Sequence, residues 1–119
     1  MTQPELFGED NPLIAAVQAG IEGALACTQK ADAIIAGWSD SAYAAICWYA
    51  RLNPGVPWTA EDCTEWAQGL GGVPAPHDER AWGSIFTRAA RAGVIVRSDL
   101  FYKRRKGHGT EARKWLTAQ

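Results

Sequence analysis

Stop signals divide this chain before any periodicity is read. Asn53-Pro54-Gly55, Gly71-Gly72 with Val73-Pro74-Ala75-Pro76 behind it, and Gly93 each end a helix. Proline lacks the amide donor a helix needs, and glycine takes the left-handed turn that closes one. The stretches between these stops are short, and a short isolated helix is marginal in water. The chain must therefore build one core from several short elements, each supplying a single apolar face.

The faces can be traced in order. Asn11-Pro12 opens a first helix, with Leu13, Val17, Ile21, Leu25 and Thr28 recurring every three or four residues. Gly20 and Gly23 each cost that helix about 1 kcal/mol against alanine, which suggests that another helix approaches closely there. Residues 29–37 either continue it or break from it. Ser39 or Asp40 caps a second helix, whose stripe is Ala42, Tyr43, Ile46, Cys47 and Ala50, with Trp38 stapling its start. Val56–Trp58 is short and extended, suited to a sheet edge. Thr59-Ala60-Glu61-Asp62 has the capping-box pattern and starts a third helix with Cys63, Trp66, Ala67 and Leu70 on one face. Asp78 caps a fourth, apolar at Trp82, Ile85, Phe86 and Ala89 and polar at Arg80, Ser84, Thr87, Arg88 and Arg91. Val94–Arg97 is β-type, Ser98-Asp99 interrupts it, and Phe101-Tyr102 resumes it. Residues 103–109 form a basic tip with turn glycines, and Ala112–Leu116 is the return strand.

The expected fold is mainly α with a small β-hairpin. Its order of helix, strand, helix, helix and hairpin is that of a winged helix-turn-helix, here preceded by an extra N-terminal helix. The link at residues 71–77 is longer than the turn of a tight helix-turn-helix. Residues 1–37 read as an acidic tail and helix, a candidate dimerisation or partner-binding element, and residues 38–119 as the winged-helix domain.

Charge is distributed unevenly along this framework. Residues 1–38 carry five acids and one base, residues 39–76 four acids and one base, and residues 77–119 four acids and ten bases. The near-neutral net charge of −1 thus hides a C-terminal third at +6. The three cysteines are widely spaced, with no C-x-x-C and no spacing to His77 or His108 that suits a metal. They read as small buried hydrophobes of a reducing compartment, and no cofactor or metal is expected. The polar N-terminus is no signal peptide, and no apolar run is long enough to span a membrane. These features point to a cytoplasmic protein. No nucleophile motif, phosphate loop or H-E-x-x-H is present. Asp62 and Glu65 are acids at the start of a helix, as its dipole favours, so no enzymatic activity is expected.

Several segments resemble a known family. They are Trp58-Thr59-Ala60-Glu61-Asp62, Pro74-Ala75-Pro76, Arg80-Ala81-Trp82-Gly83 and Ala89-Ala90-Arg91-Ala92-Gly93. With Trp38-Ser39-Asp40-Ser41-Ala42-Tyr43, His108-Gly109 and Trp115, their order and spacing are similar to those of small prophage-encoded winged-helix proteins. The resemblance spans residues 36–116. It implies a fold and a phage or prophage setting, with no particular activity.

Two functions are expected from these features. The first is DNA binding as a phage regulator or replication accessory. Arg80, Ser84, Thr87, Arg88 and Arg91 would enter the major groove of double-stranded DNA, while Lys103, Arg104, Arg105 and Lys106 meet its phosphates. His108, between glycines in the tip, is a further phosphate contact or an exposed turn residue. Tyr102 either flanks a ligand or fills the hairpin, and Trp82 reads as core. The second is a non-catalytic inhibitor or adaptor from a mobile element, such as an anti-defence (anti-CRISPR) protein, that docks on a host protein. A homodimer through the N-terminal helix is compatible with either.

Overall fold

A computed structural model describes the backbone of residues 12–105 and 111–118, with side chains from Glu22 onward. Four helices, α1 (Pro12–Ile34), α2 (Trp38–Leu52), α3 (Ala60–Gln68) and α4 (Ala81–Arg91), precede a hairpin of β1 (Ile95–Lys103) and β2 (Glu111–Thr117). The described residues are mainly helical with one two-stranded antiparallel hairpin. No helix among the described residues is long and apolar enough to cross a membrane.

The break that periodicity left open falls at Ile35–Gly37, where the chain turns from α1 into α2. The cap of α2 comes from α1 rather than from Ser39 or Asp40. Gly37 occupies the N-cap position. The Asp32 carboxylate accepts the Ser39 amide at 2.8 Å and the Ser39 hydroxyl at 2.7 Å, placing a negative charge at the helix start. α3 is capped as expected, Thr59 Oγ1 accepting the Asp62 amide at 3.0 Å. It ends earlier than its apolar pattern suggests, at Gln68, so Leu70 lies beyond it and is 89 % exposed. The chain folds back over this end, the Gly71 amide bonding Trp66 O and the Val73 amide bonding Ala67 O. A Cβ on Gly71 would stand 2.8 Å from Ala67 O, so only glycine fits. Asp78 opens a turn ahead of α4, its carboxylate accepting the Arg80 amide at 2.9 Å. Gly93, with φ +78°, closes the helix.

The core forms where α2, α3 and α4 meet. Trp38, Ile46, Cys63, Ala67, Trp82, Ile85 and Ala89 are all buried in it. Trp38 and Trp82 meet edge to face, their centroids 5.3 Å apart. Each of these two indoles finds an acceptor, Trp38 at Pro74 O and Trp82 at Gln68 Oε1, whereas the buried Nε1 of Trp58 has none among the described residues. The first of these bonds ties the proline link to the start of α2. The hairpin closes the core from one side, with Phe86 of α4 stacked on Trp115 of β2.

The short extended segment does reach the sheet edge. Trp58 and Trp115 exchange both main-chain hydrogen bonds, at 2.9 and 2.8 Å. Within the hairpin, Arg97 pairs with Trp115 and Phe101 with Arg113. Three residues on β1 therefore oppose one on β2, a bulge at Ser98–Leu100, where Ser98-Asp99 interrupts the β pattern. Ser98 is buried and its hydroxyl accepts the Leu100 amide.

α1 does not stand apart from the rest. It packs chiefly on α4 and also caps α2. Its inward residues are Ala24, Cys27, Thr28 and Ala31, while Leu25, expected inside, is 48 % exposed. The rest of the expected stripe, Leu13, Val17 and Ile21, lies outside the described side chains, as does Gly20. A Cβ on Gly23 would meet nothing within 4 Å. Gly83 of α4 faces Ala24, and an added Cβ there would lie at an ordinary contact distance of 3.8 Å from that of Ala24. A dimer through α1 would have to use its other side, where Leu25 and Ile34 are exposed.

Candidate nucleic-acid interface

The polar side of α4 faces partly protein and partly solvent. Ser84, assigned above to the exposed face, is turned against α1. The Thr28 hydroxyl lies 2.9 Å from Ala81 O and 3.0 Å from Ala24 O and also meets the Ser84 hydroxyl. One hydroxyl has one proton, so Thr28 donates to a carbonyl and accepts from Ser84. Periodicity placed Ser84 among arginines correctly, but it cannot tell solvent from a neighbouring helix of small residues.

Arg88 is turned toward α2. Its guanidinium lies 4.0 Å from the Tyr43 ring centroid and bonds Asp40 at 3.2 Å. Arg80 is 74 % exposed but bonded to Asp78 at 2.8 Å. Those bonds hold the Asp78 carboxyl well below the usual carboxylate range. Thr87 is exposed, with its hydroxyl donating to Gly83 O. Arg91 is exposed in the last turn.

The basic tip divides in the same way. Lys103 and Arg104 are exposed. Arg105, assigned to phosphate, is bound by α3 instead. Its amide donates to Glu61 Oε1 at 3.0 Å, and its guanidinium lies among Glu61, Asp62 and Glu65. The acids that help α3 start therefore also fix the hairpin tip. Tyr102 lies beside this cluster, its phenol pKa pushed up by burial and then by Glu61. Lys106 and His108 lie outside the described residues.

Two arginines not singled out in the sequence join the site. Arg97 and Arg113 stand on one face of the hairpin, each directly across from an aromatic residue. The Arg97 guanidinium lies 5.1 Å from the Trp115 ring, and that of Arg113 5.5 Å from Phe101. Cross-strand pairs of this kind stabilise a hairpin and leave the cation its charge and in-plane donors. The available signal was period two: Arg113 and Trp115 share a strand face, as do the two residues opposite them.

Arg80, Arg97, Arg104 and Arg113 line one cleft of about 690 Å3 between α3, the start of α4 and the hairpin. Trp82, Phe86 and Trp115 form its aromatic floor. Glu61, Glu65, Glu79 and Glu111 also line it. Among the described residues no cluster of histidine, cysteine and carboxylates could hold a metal ion. Comparison with protein-family models, curated proteins and solved structures finds no match for the chain.

Proposed function

We propose that the chain is a winged helix-turn-helix protein of phage or mobile-element type that binds nucleic acid without catalysis. The order of elements supports the fold, with Trp58 pairing onto β2 between α2 and α3 as a third, minimal strand. One observation carries the binding: Arg97, Arg104 and Arg113 of the hairpin line a single cleft with Arg80 at the start of α4, and the guanidiniums of Arg97 and Arg113 lie over aromatic rings. Arginine donates in a planar fork that suits phosphate, and stacking holds that plane without neutralising it. The contact set differs from the one read in sequence: of those residues Arg80 and Arg104 line the cleft, Arg97 and Arg113 join them, and Ser84, Thr87, Arg88, Arg91, Lys103 and Arg105 lie outside it. Fluorescence anisotropy at low and physiological salt tests the proposal. Binding should be salt-sensitive and weaken when Arg104 and Arg113 become alanine. Unchanged binding in that variant would refute the assigned site.

A second reading rests on the carboxylates in the same cleft. A wall of mixed sign also suits a protein segment, and the chain would then be an inhibitor or adaptor that docks on a host protein. A host partner that co-purifies with the protein after nuclease treatment, and is lost with Arg113→Ala, would favour this reading.

A further inference from the structure

The shape of the cleft bears on which form of nucleic acid it takes. A helix with its side chains is about 10–12 Å across, and a major groove is about 12 Å wide, so a recognition helix enters alone. α4 is not alone, because α1 lies on it through Thr28 and Ala24. Two packed helices have axes about 8–10 Å apart and together span roughly 20 Å. With α1 docked on the Ala81 and Ser84 side, the strip of α4 left open is narrow and begins at Gly83, which has no side chain to read a groove.

The cleft offers something a duplex does not use. Phe101 is 57 % exposed at its rim, with the Arg113 guanidinium over its ring. Arg97 lies over Trp115 on the same hairpin face. Aromatic rings and guanidinium planes side by side are a surface on which unpaired bases stack. A duplex keeps its base faces inside. At about 690 Å3 the cleft is the size of a small-molecule site. Arg105 lies among Glu61, Asp62 and Glu65 and offsets part of the negative charge on that wall.

We propose that the cleft binds single-stranded or locally unpaired nucleic acid. A base stacks on Phe101, and Arg97, Arg104 and Arg113 meet the adjoining phosphates. The inference rests on the nucleic-acid reading above and narrows it to unpaired strands.

The test uses the full chain and fluorescein-labelled oligothymidylate of about 15 nucleotides, within the range one small domain covers. A blunt duplex of equal length is the comparison. The single strand should bind at least about tenfold more tightly, and Phe101→Ala should weaken it by about 5- to 100-fold, the loss of one stacked base. Phe101→Trp should restore binding, and Phe101→Ala should leave the salt dependence unchanged because it removes no charge. An unaltered thermal melt of Phe101→Ala shows that the fold survives. Equal or tighter duplex binding would overturn the proposal while leaving the nucleic-acid reading intact, as would full affinity in Phe101→Ala. No binding to either probe would overturn both.

Discussion

The docking of α1 on α4 covers the Ser84 side of that helix, and it is open to a direct energetic test. Thr28 and Ser84 share one hydroxyl-to-hydroxyl bond, and Thr28 has a further bond to a main-chain carbonyl. Thr28→Val keeps the volume and removes both. A neutral hydrogen bond is worth about 1 kcal/mol net, so the expected loss is about 2 kcal/mol. Ser84→Ala removes only the shared bond and should cost about 1 kcal/mol. The double variant should lose no more than Thr28→Val, because the shared bond is already gone. The coupling from the double-mutant cycle is then about 1 kcal/mol. At roughly 4 °C per kcal/mol for a domain of this size, the two single changes should lower Tm by about 8 and 4 °C. Urea titrations of the four proteins give the cycle. Additive losses within about 0.3 kcal/mol would refute the reasoning, since they would mean that the two hydroxyls do not meet in solution.

Three further predictions concern other links of the fold. Gly71→Ala should destabilise by about 1–3 kcal/mol, because its Cβ would stand 2.8 Å from Ala67 O, whereas Gly83→Ala, with 3.8 Å of clearance to Ala24, should be neutral or stabilise by up to about 1 kcal/mol; thermal melts separate them. Arg105→Ala should leave nucleic-acid affinity within about twofold and cost no more than about 1 kcal/mol, since exposed ion pairs contribute little and its amide keeps Glu61; anisotropy and urea titration read the two effects. Burial, then Asp62, pushes the Cys63 thiol from 9.0 up to about 12. Its neutral form is therefore favoured in the fold, and stability should be unaffected below pH 9 and fall by roughly 1.4 kcal/mol per pH unit between those values. A Cys63→Ala variant that loses stability over that range as steeply as wild type would count against this assignment.

What sequence reveals here depends on the kind of signal. The stops at Asn53-Pro54-Gly55 and Gly93 and the cap at Thr59 act locally, through chemistry carried by the residues themselves, and each lies where expected. The apolar face of α4 is equally plain, because Trp82, Ile85, Phe86 and Ala89 can bury only on one side. The cap of α2 was not legible, because the carboxylate comes from Asp32 on the preceding helix, seven residues before the amide it accepts. Nor, from Glu22 onward, was most of the inward side of α1: Thr28 is buried as expected, but its companions are Ala24, Cys27 and Ala31 rather than leucine. Small residues give a weak periodicity, so Leu25 outweighed them in the pattern while facing solvent. The site failed in sequence for a related reason. Ser84 and Arg105 have the right chemistry for a ligand, and partners more than forty residues away in sequence, or forty itself, already use it.

Charge in space therefore differs from charge along the chain. The C-terminal third carries ten cations, but folding brings Asp78 to Arg80, Asp40 to Arg88 and three α3 carboxylates to Arg105. An arginine on an aromatic ring keeps its charge for a ligand, while one among carboxylates does not. Arg97 and Arg113 belong to the first kind, and Lys103 and Arg104 are exposed beside them. About four cations are then free to displace counterions at the cleft, so for a single strand the logarithm of affinity should fall against that of salt with a slope of about −3. Were all ten engaged, as the segment charge suggests, the slope would be about −7. A measured slope near the larger value would mean that the intramolecular pairs open on binding, and that Arg105 in particular leaves α3 for phosphate.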